Sequence, residues 1–267
     1  MKHFNLKMAL IAVFILINIA VCCGMVLYSP AEVSTDYSGI IELLKKRGIT
    51  VEEDAFDEVS SSVIEDAVLE NALSDREKLA RAILGSSANA LPSASNIFML
   101  NNQNVVFSGS SFHFENTEKR EEYYYRGSSA DNAEAVVGQI AQKLGIDTAD
   151  SLIASSEDDG SVSYRVTKMI DGKPVYNDYL TIVIADDYLQ SLDGIWFTHK
   201  DETGGGASVN VNNALIEFMN MPDIEPNAVI TSVNVGYRLL DDTNQSTQAQ
   251  PVCRIVLESG AVYYIDL

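Results

Sequence analysis

"MIDGKPVYNDYLTIVI", Met169 to Ile184, decides how the chain is read. Asp171-Gly172, a pair suited to a type I′ hairpin turn, sits between two runs that alternate in strand fashion. In the second run Leu180, Ile182 and Ile184 share one face; Tyr179, Thr181 and Val183 share the other. Pro174 cannot donate to a ladder, so it belongs at the hairpin end or on an edge. Asn177-Asp178 interrupts the alternation and signals a bulge. The stretch also packs Lys173, Tyr176, Asn177, Asp178 and Tyr179 together, residue types that active sites use. A hairpin tip accounts for them without chemistry, and the segment is read as a hairpin.

The neighbouring sequence continues the pattern. Strands are expected at Leu152–Ser156, Val162–Ile170, Val175–Ala185 and Leu189–Phe197, separated by Asp-rich turns. Val229–Leu240, Val252–Glu258 and Val262–Asp266 follow, the last two joined by a tight turn at Ser259-Gly260. Asn96 to Asn116 holds two or three further strands around an Asn-rich turn. Apolar residues at helical spacing mark Tyr37–Lys46, Val63–Leu84, Asp131–Leu144 and Val209–Met221. Ser74-Asp75 is a cap that would split the second of these, Gly145 a C-terminal stop for the third. Ser86–Ser95 and Asp201–Ser208 are expected as loops. The fold class is α+β, with antiparallel sheets packed against helices and a helix-plus-sheet unit that recurs in architecture but not in sequence.

Met8 to Tyr28, "MALIAVFILINIAVCCGMVLY", holds no charge. As a helix it spans about 30 Å, the thickness of a bilayer's hydrocarbon core. Lys2 and Lys7 precede it, whereas all 38 acidic residues lie beyond Tyr28. The positive-inside rule then places residues 1–7 in the cytoplasm, a membrane helix at 8–28 and the rest outside the cell. A cleaved signal peptide ending near Ser29-Pro30-Ala31 and a lipoprotein signal at Cys22 or Cys23 are the competing readings. The apolar run is longer than a usual signal peptide's, and Val21 is large for the residue before a lipidated cysteine. Beyond the membrane segment, residues 29–129 and 130–267 are expected as two α+β modules.

A net charge of −20 repels phosphates and anionic headgroups, which argues against nucleic-acid binding. Cys22, Cys23 and Cys253 form neither a disulfide framework nor a metal spacing. The chain lacks a nucleophile elbow, a zincin helix, a Walker loop and a dinucleotide fingerprint. "TGGGAS" at Thr203–Ser208 has no lysine after its glycines. His113 alternates with Phe112 and Phe114 and is expected to face away from both. His199 follows Trp196-Phe197 with no nucleophile pattern near it. "EDDGSVSYR" lacks the final acid of an EF-hand loop. No catalytic residue, metal ligand or cofactor site is expected.

Two features suit protein partners instead. Asn18 lies in the middle of the apolar segment, where an amide gains from an interhelical hydrogen bond, and Ala20 and Gly24 give the small-xxx-small spacing of closely packed helices. Tyr123, Tyr124 and Tyr125 in "EKREEYYYRG" combine large contact area with hydroxyls that stay wet, as at interfaces.

These segments together resemble the YycH/YycI family, and YycI most. The resemblance is carried by "LINIAVCCGMVLY" (Leu16–Tyr28), "IAQKLGI" (Ile140–Ile146), "DGKPVYNDYLTIVI" (Asp171–Ile184), "LQSLDGIWF" (Leu189–Phe197), "VGYRLL" (Val235–Leu240) and "PVCRIVLESGAVYYIDL" (Pro251–Leu267). It is strongest over Ala130–Leu267 and does not extend to Val51–Asn96. The hairpins are also similar in style to PepSY-like modules. The resemblance implies a non-enzymatic regulator on the cell membrane of a Gram-positive bacterium. Such a protein modulates a cell-wall-sensing histidine kinase of a two-component system through contacts, beside a YycH-like partner protein. A PepSY-like protease inhibitor or propeptide is the alternative; a cell-wall enzyme comes third.

Overall fold

The computed structural model describes residues 36–56, 59, 63–92, 94–241 and 245–267. The apolar segment 8–28, with Asn18, Ala20 and Gly24, lies outside the described residues. Among the described residues no helix is long and apolar enough to cross a membrane. The elements, in chain order, are α1 (Ser38–Lys46), β1 (Thr50–Val51), β2 (Val63–Asn71), α2 (Arg76–Leu84), β3 (Asn89–Leu91), β4 (Ala94–Leu100), β5 (Gln103–Ser108) and β6 (Ser111–Glu115). Then come α3 (Ala133–Leu144), β7 (Ser151–Asp158), β8 (Ser161–Ile170), β9 (Lys173–Ala185) and β10 (Tyr188–Gly194). Last are β11 (Phe197–Ser208), α4 (Val211–Met219), β12 (Val229–Leu239), β13 (Ser246–Leu257) and β14 (Val262–Asp266). The class is mixed α and β, dominated by antiparallel pairing.

Three turns build β7 to β10 into a meander. Asp159-Gly160, Asp171-Gly172 and Asp186-Asp187 all have positive φ at both residues, as a type I′ turn demands. Asp186 and Asp187 hold this without glycine; short polar side chains tolerate the left-handed region best after glycine. The expected faces follow. Leu180, Ile182 and Ile184 are buried, opposite Val166, Tyr164 and Val162 on β8. Strands β6, β5, β4 and β3 extend the sheet beyond β10. Helices α2 and α3 cover its apolar face with Leu79, Ile83, Val136, Val137, Ile140 and Leu144. Each such side chain contributes about 1.5–3 kcal/mol on burial.

Both helices stop and start by local chemistry. Asp75 caps α2, its Oδ1 accepting the Lys78 N–H at 3.0 Å. Gly145 ends α3 at φ +73, and Ile146 N–H returns to the Ala141 carbonyl at 3.0 Å, a Schellman ending.

The remaining strands form a second antiparallel region. Strand β13 pairs β12 over Ala249–Leu257, β2 over Ser246–Ala249 and β14 over Val252–Val256. Helix α4 packs on β14, with Phe218 edge-on to Tyr263 at 5.1 Å, and also touches α1. The two regions join where β9 meets β12 in parallel at Val175 and Tyr237.

Three expectations change. Val63–Asn71 is a strand, not the first part of a helix. The spacing of Ile64, Val68, Leu69, Ala72 and Leu73 imitates a helix, but Ala67, Leu69 and Asn71 are buried in strict alternation and β11 and β13 pair both edges. Asp201–Ser208 belongs to β11 rather than to a loop; its glycines lie in an edge strand whose register shifts between Glu202 and Gly206. Part of Ser86–Ser95 is strand, as β3 and the start of β4. Residues Ser38–Leu267 cluster as one compact unit. The strands do not divide at 129/130: β1 pairs β12, and β2 pairs β11 and β13, so the N-terminal segment joins the C-terminal sheet.

Candidate functional site

The reactive-looking cluster of Met169–Ile184 sits on a bulge. Thr167 pairs with Tyr179, but Met169 pairs with Pro174, so Lys168 alone faces Val175–Asp178. Each bulged residue has a structural contact. Asn177 Nδ2 donates to the Leu239 carbonyl at 3.1 Å, and Leu239 N–H donates to Asn177 Oδ1 at 2.8 Å. The Tyr176 ring packs on Tyr264 at 5.4 Å, with the Arg254 guanidinium 5.5 Å from its centre. It also lies over Gly236, where any Cβ would come within 2.9 Å of the ring. Asp178 is turned fully inward and accepts the Phe197 N–H at 3.1 Å. Burial pushes its carboxyl well above the usual range, against the pull of that N–H and of the Lys168 charge. Beside it, Trp196 is fully buried and its Nε1–H has no hydrogen-bond partner among the described residues. The Lys168 ammonium stands 5.8 Å from the Trp196 ring.

On the opposite face of the meander the side chains are polar and half open. The register puts His113, Asp193, Thr181 and Arg165 in one row across β6, β10, β9 and β8. His113 is exposed while Phe112 and Phe114 are buried, as the alternation required. A groove of about 380 Å³ opens at the end of this row, lined by Ser108, Ser111, His113, Asn177, Tyr179 and Asp193. Gly194 permits it: at φ +137 it lets β10 pass so close to β9 that a Cβ would stand 2.1 Å from the Tyr179 carbonyl. The Arg165 guanidinium stacks on the Tyr179 ring at 3.6 Å. Burial raises the Asp193 carboxyl, with the His113 charge opposing. The Ser111 hydroxyl donates to the Ser108 carbonyl at 2.7 Å, which commits it locally. This arrangement offers hydrogen bonds and a stacked cation to a bound chain. Register assembles the row, and register is invisible until strand order is known, so sequence reading found His113 without its neighbours.

The tyrosine triplet separates. Tyr123 is fully buried, its hydroxyl donating to Gln103 Oε1 at 2.7 Å and lying 3.2 Å from the Ile83 carbonyl. Tyr125 is buried too, and burial pushes both phenols up to about 12. Tyr124 alone faces solvent, 42% exposed, against Tyr188 at 5.1 Å. Hence Tyr123 and Tyr125 are core residues. The chain leaves the short 3-10 turn Glu121–Tyr123 in extended backbone, with Tyr124 bridging Tyr188, so successive side chains point to opposite sides, which a row of three tyrosines cannot reveal.

No protein-family model matches the chain. No curated protein matches it either. Among solved structures it is similar to an uncharacterized protein from Eubacterium rectale ATCC 33656, 14% identical with a TM-score of 0.51, over 87% of this chain and 95% of that one. This is a likeness of fold. YycH from Bacillus subtilis is 12% identical with a TM-score of 0.49; 86% of this chain covers 62% of that one. The Bacillus megaterium YpeB C-terminal domain is 9% identical with a TM-score of 0.34, over 74% of this chain and the whole of that one.

Proposed function

We propose that the chain is a membrane-anchored, extracytoplasmic regulator that acts on a sensor histidine kinase by contact and performs no catalysis. The observation that carries the anchor is the uncharged run Met8–Tyr28 with its basic residues on one side only. The contact mechanism is supported by the fate of the most reactive-looking residues. Asn177 and Asp178 spend their polar atoms on backbone groups of Leu239 and Phe197. The kinase itself rests on the sequence resemblance to YycH/YycI proteins, and Asn18, Ala20 and Gly24 would form the face that meets its membrane helix.

The two sheet regions, each carrying a pair of helices, support a finer reading: two PepSY-like units, with α2–β10 inserted between β2 and β11. Affinity capture of the full chain from cross-linked membranes tests the whole reading. Enrichment of a histidine kinase that Asn18→Leu diminishes is the expected result. A chain released from membranes, or a capture without any kinase, would overturn it.

A further inference from the structure

Strand β7 has one partner, β8, and no strand among the described residues pairs its other edge. Its backbone is built for pairing. The β7–β8 register runs from Ser151↔Lys168 to Asp158↔Ser161 without a shift. Met169 N–H donates to the Asp150 carbonyl at 3.0 Å, which fixes the phase of the ladder. Alternation then directs the N–H and C=O groups of Leu152, Ala154 and Ser156 toward β8, and those of Ser151, Ile153, Ser155 and Glu157 away from it.

Proteins protect such edges with lysine, proline, bulges or short length. The other edges here show these devices. Strand β3 spans three residues, β11 shifts register twice and carries Lys200, and β14 packs against α4. Strand β7, "SLIASSED", has eight residues, no lysine, no proline and no bulge. Leu152 on it is 54% exposed. Alongside runs a groove of about 590 Å³, walled by Ala130–Ala135 at the start of α3 on one side and by Ser151, Leu152, Ile153 and Ser155 on the other.

Charge selects the occupant. Asp131 and Glu134 stand on the helix wall; Asp147 and Asp150 precede β7; Glu157, Asp158 and Asp159 close it. None of them forms an ion pair among the described residues. A second copy is disfavoured, because antiparallel self-pairing would set the acidic start of one β7 against the acidic end of the other. We propose that the β7 edge and its groove take an extended, basic segment of a partner protein by strand addition. Main-chain hydrogen bonds hold the segment, apolar residues on one face cover Leu152, and the alternate basic residues on the other face meet the carboxylates of the helix wall. This assignment does not rest on the kinase reading; the kinase capture and the test below can fail separately.

The test uses the full chain in detergent micelles. Its probe is a fluorescein-labelled peptide of about nine residues, a usual strand length, alternating lysine with valine and threonine. Saturable anisotropy and slowed amide exchange at Ser151, Ile153, Ser155 and Glu157 are expected. Ser155→Pro removes one outward N–H without touching the β8 ladder and should weaken binding by at least about tenfold. Glu134→Lys should weaken it and flatten its salt dependence. A probe N-methylated at every residue should fail to bind, a control that needs no variant to fold. The proposal is overturned by an absence of saturation, or by undiminished binding of the N-methylated probe. It is equally overturned if sedimentation shows a dimer that Ser155→Pro dissolves, since a second copy would then own the edge.

Discussion

Asn177 and Leu239 exchange two hydrogen bonds, side-chain amide to backbone, at 3.1 and 2.8 Å. Through them the bulge of β9 grips β12 beside the single parallel bridge of Val175 and Tyr237. Asn177→Ala leaves both Leu239 groups without their partner. The expected cost is about 1–3 kcal/mol, read as a lowered urea midpoint with an unchanged slope. Asn177→Asp keeps the acceptor but loses the donor, and places a carboxylate against the Leu239 carbonyl. It should cost at least as much near neutral pH. A midpoint equal to the parent's in both variants would show that the β9–β12 contact contributes little to stability.

Gly194 makes the groove and cannot be replaced cheaply. A Cβ there meets the Tyr179 carbonyl at 2.1 Å and the Leu180 Cα at 2.9 Å, on a backbone at φ +137. Both strands belong to the central meander, so neither yields easily. Gly194→Ala should destabilise by roughly 3 kcal/mol or more, the range of backbone-incompatible substitutions. Gly138, with nothing within 4 Å of its added Cβ, is the matched control. Gly138→Ala lies inside α3 and should stabilise by about 0.4–1 kcal/mol. Thermal melts of the two variants must move in opposite directions.

The tyrosines give a contrast within three residues. Tyr123→Phe leaves Gln103 Oε1 without its donor in a buried network that continues through Asn116 to the Leu189 carbonyl. Loss of about 1–3 kcal/mol is expected. Tyr124→Phe removes only a long 3.4 Å contact to Asp187 at the surface and should stay within about 0.5 kcal/mol. Equal losses in denaturation would mean that burial does not separate the pair.

Legibility followed locality. The Asp171-Gly172 turn, the faces of Leu180 and Tyr179, the Gly145 stop and the Asp75 cap were all readable, because each depends on residues a few positions apart. Val63–Asn71 was not, because what makes it a strand is pairing with β11 and β13, more than a hundred residues away. The bulge was visible at Asn177-Asp178, but its consequence was not. Only the approach of Leu239 and Phe197 shows that those polar atoms hold backbone rather than substrate. The row of His113, Asp193, Thr181 and Arg165 was hidden for the same reason: β6 pairs with β10 across the whole of α3 and three strands.

Asp178 sets the pH behaviour of the junction. Burial raises its carboxyl well above the unfolded value, so the folded chain binds its proton more tightly than the unfolded chain does. The stability this gives is full below the unfolded pKa, near 4, and is lost as pH rises toward the folded one. Asp178→Asn keeps the acceptor for the Phe197 N–H and carries no titrating group. In urea melts the variant should therefore gain on the parent from pH 4 to pH 8. Trp196, the one tryptophan of the chain, lies next to Phe197 and gives the local readout. Its fluorescence should titrate in the folded parent above the ordinary carboxylate range and stay flat in Asp178→Asn. A parent signal that titrates near 4, or a variant that keeps the full transition, would place the proton on another group.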